Sequence, residues 1–343
     1  MMDYTRRKFL TLCGRMLLVL GLGDVLPVTM SRAAARSAGM PQLNVVGSGV
    51  LPVPQEHFRA IVFCDSQCGY GYDTWAQTYQ AAFNRHGTPD CFTVIGDLVD
   101  NGAADWQWES WQNAMDDRAS EATFIPVMGN HECYGLEWTN HLPDGYLQRF
   151  AVPANGSKRF PGYYYAFDYG PAHFIVLNTQ WLELDPLRPG LRTEELNWLR
   201  QQQATSQGTS RRWQIVLMHK DVLAYDEPQP DGTTGSFSDT GRTFMPLLET
   251  LGADLVLTGH MHAYRNRGHL RQFAPSDTGP VYVMCGRAGD EYYLVPADPR
   301  DKVAAPDDHQ PSYVTLNCDA HNLILAAWTV KGAQLDSFTL HKT

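Results

Sequence analysis

Five short apolar runs, each ending at an aspartate or a histidine, constrain the fold of this chain more than any other feature of its sequence. Short runs rich in Val, Ile, Leu and Phe are typical of strands buried on both faces. Amphipathic stretches such as "DTWAQTYQAAFNRHG" and "RTEELNWLRQQQ" lie between them and predict helices. This alternation predicts a layered α/β domain. The five runs span residues 59–65, 91–97, 123–131, 212–219 and 253–260.

The remaining β-rich segments indicate that the sheets are mixed rather than purely parallel. "YYYAFDYGPAHFIVLNT" predicts an antiparallel hairpin that turns at Gly170 and Pro171. The C-terminal part, including "SYVTLNCDAHNLILAAWTV", is also rich in strand-forming residues. We therefore expect mixed sheets packed together and flanked by helices within one domain.

The residues at the ends of the five runs share one property, because their side chains offer oxygen or imidazole nitrogen to a cation. The carboxyl ends of strands in an open α/β sheet are where ligands gather. One strand ending in Asp or His usually marks a turn, but here all five runs follow the pattern. Such a set suits Zn, Mn or Fe rather than a thiolate site. The candidate ligands are Asp65, Gln67, Asp97, Asn130, His219, His260 and His262, with His131 beside them.

The spacing of these candidates predicts where their side chains point. Residues two apart on an extended segment point to the same side of the chain. We therefore expect Asp65 and Gln67 to share a face, and His260 and His262 to share another. Cys64 and Cys68 are offset by one residue from Asp65 and Gln67, and both would face the other side of the sheet.

Cysteine chemistry is a competing interpretation of the segment "FCDSQCGYG". If that segment is extended, the Cα atoms of Cys64 and Cys68 stand about 13 Å apart at ~3.3 Å per residue, whereas a disulfide needs less than ~7 Å. The chain has seven cysteines, and no two of them form a C-x-x-C pair. Two roles stay open for Cys64 and Cys68, which are packing and a longer-range disulfide.

The N-terminus has the pattern of an export signal. "TRRKFL" places an arginine pair before the apolar segment "MLLVLGLGDVL", and small residues follow. The arginine pair indicates export by the twin-arginine machinery to the periplasm or the medium. We expect residues 1–38 to be a cleaved signal peptide, 39–56 a linker or N-terminal extension, and 57–343 the folded domain. The alternative is a membrane anchor, although the apolar segment is too short to span a bilayer comfortably.

The charge of the chain restricts its partners. The formal net charge is −10, and cleavage of the basic N-terminal segment would make the mature chain more acidic. Proteins that bind the phosphate backbone of nucleic acids usually present a basic face. We therefore expect a small-molecule or metal partner and no nucleic acid.

Five motifs in a fixed order resemble those of the calcineurin-like metallophosphoesterases. Longer segments such as "GADLVLTGHMHAYRNR" resemble the purple acid phosphatase-like branch of that superfamily, and the resemblance covers nearly the whole mature chain. It implies a four-layer α-β-β-α sandwich of two mixed sheets flanked by helices, with 57–343 as the catalytic domain. The motifs are "DSQ" at 65–67, "GDLVD" at 96–100, "GNHE" at 129–132, His219, and "GHMH" at 259–262.

The resemblance also implies a site for two divalent metal ions, taken as Mn, Fe or Zn. His131 would protonate the leaving group, Asp100 would hold His131 in the right tautomer, and Glu132 would support the site. The ligands would form two sets joined by a bridging carboxylate, with Asp65, Gln67 and His262 on one ion, Asn130, His219 and His260 on the other, and Asp97 between them.

Two residues depart from the pattern of the family. Gln67 stands where the family usually has histidine or glycine, so it either favours Mn, Mg or Fe at that position or binds the ion weakly or not at all. Asp100 stands where purple acid phosphatases have a tyrosine ligand. Without that phenolate we expect no charge-transfer colour, and the ferric ion of that branch is not carried over.

The function implied is hydrolysis of a phosphomonoester or phosphodiester by attack of a metal-bound hydroxide. Two alternatives stay open: a hydrolase of a nucleotide or pyrophosphate-containing substrate on the same site, and a non-catalytic metal-binding protein. Segments 133–160 and 224–241 are candidate binding loops.

Residues around the motifs have two interpretations each. Tyr264, Arg265 and Arg267 follow the "GHMH" motif and either reach a substrate phosphate or form structural ion pairs. The tryptophans of "DWQWESWQ" either form a substrate platform or belong to the core, and their helical spacing favours the core.

Overall fold

Two mixed β-sheets lie face to face and carry the loops that follow the five apolar runs. The structure, a computed structural model, describes residues 40–49, 53–54, 56–206, 212–224, 236–306 and 310–342. The predicted signal peptide and most of the expected binding loop 224–241 lie outside these residues. The strands are β1 Asn44–Val45, β2 His57–Phe63, β3 Cys91–Ile95, β4 Thr123–Val127, β5 Tyr165–Tyr169, β6 Ala172–Leu177, β7 Trp213–Met218, β8 Leu223–Ala224, β9 Ser236–Phe237, β10 Leu255–Thr258, β11 Tyr264–Arg271, β12 Ala274–Pro275, β13 Val281–Cys285, β14 Val303–Ala304, β15 Ser312–Asp319, β16 Asn322–Thr329 and β17 Gln334–His341.

The first sheet has the strand order β1-β4-β3-β2-β15-β16-β17. Strands β1 to β4 pair in parallel, whereas β15, β16 and β17 add to β2 in antiparallel fashion. Strand β1 comes from the segment 39–56 that we expected to be a linker or extension. The parallel half of this sheet carries the first three motifs at its carboxyl edge.

The second sheet has the order β12-β11-β13-β10-β7-β6-β5, and β14 pairs with β11. Strands β6, β7, β10 and β13 are parallel, which places the ends of β7 and β10 at one edge. The predicted hairpin is β5–β6, which closes with Tyr169 opposite Ala172. A small separate ladder joins β8 and β9.

Strand β2 shows how the layers are built, because its side chains alternate between two hydrophobic clusters. Phe58, Ala60 and Val62 pack between the sheets, whereas Ile61 and Phe63 pack against helices on the outer face. A period of two is what a strand buried on both faces requires. The apolar run therefore encodes a strand in the interior of the sandwich.

Helices cover the outer faces of both sheets. The ring of Trp75 packs edge-on against Phe63 of the first sheet, and Phe244 lies in one cluster with Val216 of the second. The predicted four-layer α-β-β-α sandwich is confirmed. None of the helices in the described ranges is long and apolar enough to cross a membrane. The helices are α1 Asp73–His86, α2 Asp105–Asn113, α3 Asp144–Arg149, α4 Trp181–Leu184, α5 Leu191–Ser206 and α6 Asp239–Leu251.

The tryptophans of α2 belong mainly to the core. Trp108 and Trp111 are buried, and Trp111 stacks on Trp75 with ring centroids 6.1 Å apart. Trp106 differs, since 49% of its surface is exposed. The interpretation of Trp108 and Trp111 as core residues is therefore confirmed.

The cysteines act as packing residues. All six cysteines in the described part of the chain are buried and free. Cys64 lies between the sheets, whereas Cys68 packs on the helix side of the first sheet. The expectation that both face the same side is therefore wrong, because the chain turns at Asp65, whose φ is 49°. Burial raises the pKa of Cys64 well above its usual range and that of Cys68 to about 12. These thiols are therefore protonated and poor metal ligands at neutral pH.

Candidate metal centre

The carboxyl ends of strands from both sheets meet at one edge of the sandwich. Loops after β2, β3 and β4 bring in Asp65, Asp97 and Asn130, and loops after β7 and β10 bring in His219 and His260. Nε2 of His219 lies 3.1 Å from Oδ2 of Asp97 and 3.0 Å from Oδ1 of Asn130. The two sheets therefore contribute to one site.

Asp97 lies at the centre of this site. One ligand atom each from Asp97, His219 and His260 lie within 4.8 Å of one another, and the same is true of Asp65, Asp97 and His262. Nδ1 of His260 is 3.2 Å from Nε2 of His219, and Nε2 of His262 is 3.4 Å from Oδ1 of Asp65. Two adjoining groups of potential ligands thus share one carboxylate.

Four of these residues have a left-handed backbone. The φ angles are 49° for Asp65, 51° for Asp97, 75° for His260 and 56° for His262. Such values are uncommon outside glycine and persist where the surrounding structure enforces them. Strand β2 ends at Phe63, before the site begins. The expectation that the chain is extended at Asp65 and at His260 and His262 is therefore wrong. Left-handed turns bring these side chains together instead.

Two glycines of the motifs allow the close approach. A Cβ on Gly96, whose φ is 74°, would lie 2.2 Å from Nδ1 of His219. A Cβ on Gly129 would lie 2.1 Å from Oδ1 of Asp97. These distances are far inside van der Waals contact. The glycines of "GDLVD" and "GNHE" are therefore needed to bring the loops of the site together.

Gln67 offers a direct test of whether these residues fit a metal ion. Its side chain is buried, with Nε2 3.3 Å from Nε2 of His262. Its Oε1 has no hydrogen-bond partner among the described residues. A buried amide oxygen without a partner costs about 1–3 kcal/mol. A cation bound by His262 and Asp65 would give Oε1 a partner. These residues therefore fit a metal ion.

Glu132 holds the loops around Asp97 in place. Its carboxylate accepts hydrogen bonds from the backbone N–H groups of Asp97, Leu98, Val99 and Gly129, at 2.6–3.3 Å. Burial, followed by the neighbouring Asp97 charge, raises the pKa of Glu132 to about 7. These contacts agree with the supporting role expected of Glu132, because it holds the loops of the "GDLVD" and "GNHE" motifs together.

The electrostatics of the centre favour charged carboxylates beside imidazoles. Burial alone would raise the pKa of Asp97, but His219 and His131 lower it well below its usual range. Burial would lower the pKa of His219, but the Asp97 carboxylate raises it to about 9. Burial and the neighbouring His219 together lower the pKa of His260. The site therefore stabilises positive charge next to Asp97, as a cation site must.

His131 contacts Asp100 differently from the sequence-based expectation. Nδ1 of His131 lies 2.7 Å from the backbone carbonyl oxygen of Asp100, whereas the carboxylate is 3.4 Å away. Nε2 of His131 lies 3.8 Å from Oδ2 of Asp97. Burial would lower the pKa of His131, but Asp97 and Asp100 raise it well above the usual range. The carbonyl thus orients the ring, and the carboxylates favour its protonated form.

Sequence reasoning missed Glu291. A carboxylate oxygen of Glu291 lies within 4.8 Å of ligand atoms of Asp100 and His131, and its backbone carbonyl is 2.9 Å from Nδ1 of His262. Glu291 follows β13, which lies next to β10 in the parallel part of the second sheet. The feature that could have identified Glu291 is its position after a further parallel strand. The carboxyl end of that strand lies at the same edge of the sheet as the other candidate ligands.

The residues after the "GHMH" motif serve structure rather than the site. Arg267 is buried and forms an ion pair of 2.7 Å with Asp221. Arg265 lies 3.4 Å from Asp301, and the hydroxyl of Tyr264 donates to Asp336. Their interpretation as structural residues is confirmed.

Comparison with known proteins agrees with this geometry. Residues 57–264 match the family described as calcineurin-like phosphoesterase, and the chain belongs to that family. Purple acid phosphatase 15 of Arabidopsis thaliana is 25% identical over 231 residues, which are 60% of this chain and 41% of that protein. The predicted purple acid phosphatase-like resemblance is confirmed. The chain spans about two fifths of the length of this curated relative.

Solved structures share the fold. Purple acid phosphatase PPD1 from seeds of yellow lupin (Lupinus luteus) aligns with a TM-score of 0.63 and 21% identity, over 84% of this chain and 55% of that chain. GAP50 of Plasmodium, described as the anchor in the inner membrane complex, aligns with a TM-score of 0.57 and 14% identity, over 84% and 90% of the two chains. The same fold thus occurs in proteins described as an enzyme and as an anchor.

Proposed function

We propose that this protein hydrolyses phosphomonoesters or phosphodiesters with the help of two divalent metal ions. The observation that carries the proposal is the position of Asp97, whose carboxylate belongs to both groups of potential ligands. His131, a candidate proton donor, lies within 4 Å of that carboxylate. A binding protein has no need of a proton donor at this place, so the arrangement favours catalysis over a non-catalytic role.

The metal ions we propose are Mn, Fe or Zn. When bound, such a pair supplies Lewis acidity and lowers the pKa of water enough to provide a nucleophile near neutral pH. Carboxylate, amide and imidazole ligands suit these ions. One set would consist of Asp65, Gln67 and His262 and the other of Asn130, His219 and His260, with Asp97 shared.

The chain's own residues perform the proton transfer and the positioning. His131, whose protonated form is favoured by neighbouring carboxylates, donates its proton to the leaving oxygen. Asp100 presents its carbonyl to Nδ1, so that Nε2 faces the site. Glu132 holds Asp97 and Asn130 near each other by accepting hydrogen bonds from the backbone of both motif loops. No lysine or arginine is required in this scheme.

The observations favour an ester over a pyrophosphate or nucleotide anhydride as substrate. Asp100 and Glu291 both place a carboxylate near His131, where the leaving group would depart. A departing phosphate is an anion and would be repelled there. An alcohol leaving group carries no such penalty, and the substrate class is therefore a small-molecule phosphoester.

Export is part of the proposal. We propose that residues 1–38 are removed after twin-arginine transport, that 57–343 is the catalytic domain, and that the enzyme works in the periplasm or the medium. Proteins of oxidising compartments tolerate free cysteines when these are buried, as all six are in the described part of this chain. The acidic mature chain agrees with a small-molecule substrate.

The test is turnover of nitrophenyl phosphomonoesters and phosphodiesters by protein loaded separately with Mn, Zn, Fe and Mg. We expect activity with at least one metal, and Asp97→Asn to lower it at least about a hundredfold. Asp105→Asn is the matched control, since the Asp105 side chain is 84% exposed. Metal-loaded protein that hydrolyses neither ester would refute the proposal.

A further inference from the structure

The loop that follows His131 has a defined structure. It leaves the "GNHE" motif and returns within a few residues, because Gly135 N–H donates to the carbonyl of Thr139 and His141 N–H donates to that of Cys133, both at 2.8 Å. At its tip the N–H of Trp138 donates to the carbonyl of Gly135, also at 2.8 Å. These bonds fix the position of Trp138.

Trp138 is held in an unfavourable state. Its φ angle is 58°, a left-handed conformation that is an outlier for a bulky residue. Half of its surface, 50%, is exposed, so the fold recovers only part of the burial that a tryptophan offers. Strain and exposure at one residue are a reason to look for a function of its side chain.

The indole of Trp138 lies beside the proposed proton donor. Its ring stands edge-on to His131, with centroids 5.8 Å apart and planes at 87°. Tyr134 contacts both rings, at 5.5 Å from His131 and 6.1 Å from Trp138. An aromatic surface thus begins at the point where the proton donor meets the leaving group.

We propose that Trp138 is a specificity-determining residue that stacks on a flat, apolar ring in the leaving group. The inference rests on the proposed function, because it concerns the same site and the same reaction. Rings prefer offset or edge-to-face contact with other rings, which a half-exposed indole provides. The substrate class is then an ester of an alcohol that bears an aromatic ring. Asp100 and Glu291 disfavour a ring that carries negative charge.

Matched esters test the flat-ring preference without changing the chemistry of the bond. 2-Phenylethyl phosphate and 2-cyclohexylethyl phosphate have similar apolar size and the same kind of alkyl ester oxygen, but only one ring is flat. We expect the wild-type kcat/KM to favour the phenyl ester by about threefold to tenfold. Phosphocholine is a third substrate that carries a cation without a ring.

Variants of Trp138 connect that preference to the indole. Trp138→Gly removes the ring and suits the positive φ, and Trp138→Phe keeps an aromatic face. We expect the preference to disappear in the first variant and to persist in the second, with metal content unchanged in both. Trp106→Ala, which removes a tryptophan of similar exposure from helix α2, should leave the preference as it is.

Three results would overturn the inference while the proposed function stands. They are equal kcat/KM for the two esters, an undiminished preference in Trp138→Gly, and faster turnover of phosphocholine than of the phenyl ester. Failure of the proposed function looks different, because metal-loaded protein would then hydrolyse none of these esters or the nitrophenyl esters. The inference would fall with it.

Discussion

The backbone carbonyl oxygen of Asp100 lies 2.7 Å from Nδ1 of His131 and orients the ring, whereas the Asp100 carboxylate, at 3.4 Å, joins that of Asp97 in favouring a positive charge on it. One residue thus affects its neighbour in two separable ways. A side-chain substitution removes the charge and leaves the carbonyl in place.

Asp100→Asn should therefore be much milder than loss of the imidazole. We expect it to lower kcat about tenfold, against about 10²–10⁴ for His131→Asn. The Asp97 carboxylate raises the pKa of His131, the Asp100 carboxylate raises it further, and a proton donor must be protonated to act. The alkaline limb of the kcat profile should consequently move to lower pH in Asp100→Asn. Equal damage by both substitutions, with no displaced limb, would contradict the separation of roles.

Gln67 should control metal preference. Its Oε1 has no hydrogen-bond partner in the described part of the chain, and binding a cation would satisfy it. We expect Gln67→Ala to weaken metal binding about 10–100-fold. Gln67→His should shift the preference from Mn towards Zn, because imidazole is the softer donor. Competition with a chelator measures both, and Gln80→Ala, an exposed position on α1, is the control. Unchanged affinity in Gln67→Ala would show that Gln67 binds no metal.

Glu195 should make stability depend on pH. This buried carboxyl accepts hydrogen bonds from Asn178 N–H at 2.6 Å and from Nε1 of Trp181 at 3.1 Å. Burial raises its pKa from an ordinary value of 4.5 to about 8. The folded protein then holds a proton that the unfolded chain has lost, so stability falls as pH rises from about 4.5 to 8.

The contribution of Glu195 is measured by comparing the melting temperatures of wild type and Glu195→Gln across that pH range. The neutral amide keeps an acceptor oxygen and does not titrate. We expect the fall in Tm with rising pH to be shallower in the variant. Parallel curves for the two proteins would mean that Glu195 is ionised in the folded state throughout.

The backbone strain at Trp138 should appear in the stability of its variants. Glycine adopts a φ of 58° without the steric cost that alanine meets there. Glycine also loses more conformational freedom on folding, which offsets part of that gain. We expect Trp138→Gly to have a free energy of unfolding about 0.5–1 kcal/mol above that of Trp138→Ala in urea denaturation. A less stable glycine variant would show that the loop relaxes to another backbone conformation.

Much of the fold was predictable because it follows from apolar periodicity. The apolar run 59–65 predicts a strand buried on both faces. In β2, successive side chains pack alternately against the other sheet and against the helices. The turn at Gly170 and Pro171 gave the hairpin β5–β6. The strand β1 was missed, because two residues that pair only at an edge leave no periodic pattern in the sequence.

That Asp65, Asp97, His219, His260 and His262 lie close together was predictable, but their local geometry was not. Asp65 and His262 were expected to converge. They do so through left-handed turns, and a sequence pattern does not predict such turns at an aspartate or a histidine. The carbonyl contact of Asp100 could not be foreseen, because side-chain identity carries no information about which backbone atom a ring meets. Glu291 was missed because its loop has no motif spacing.

Electron paramagnetic resonance of the Mn(II)-loaded protein tests whether Asp97 joins two metal positions. Two Mn(II) ions bridged by a carboxylate are exchange-coupled and give the spectrum of a pair. We predict two Mn per chain with that coupled spectrum, and its replacement by isolated Mn signals in Asp97→Asn. One Mn per chain, or two uncoupled ions in the wild-type protein, would show that Asp97 does not bridge a metal pair.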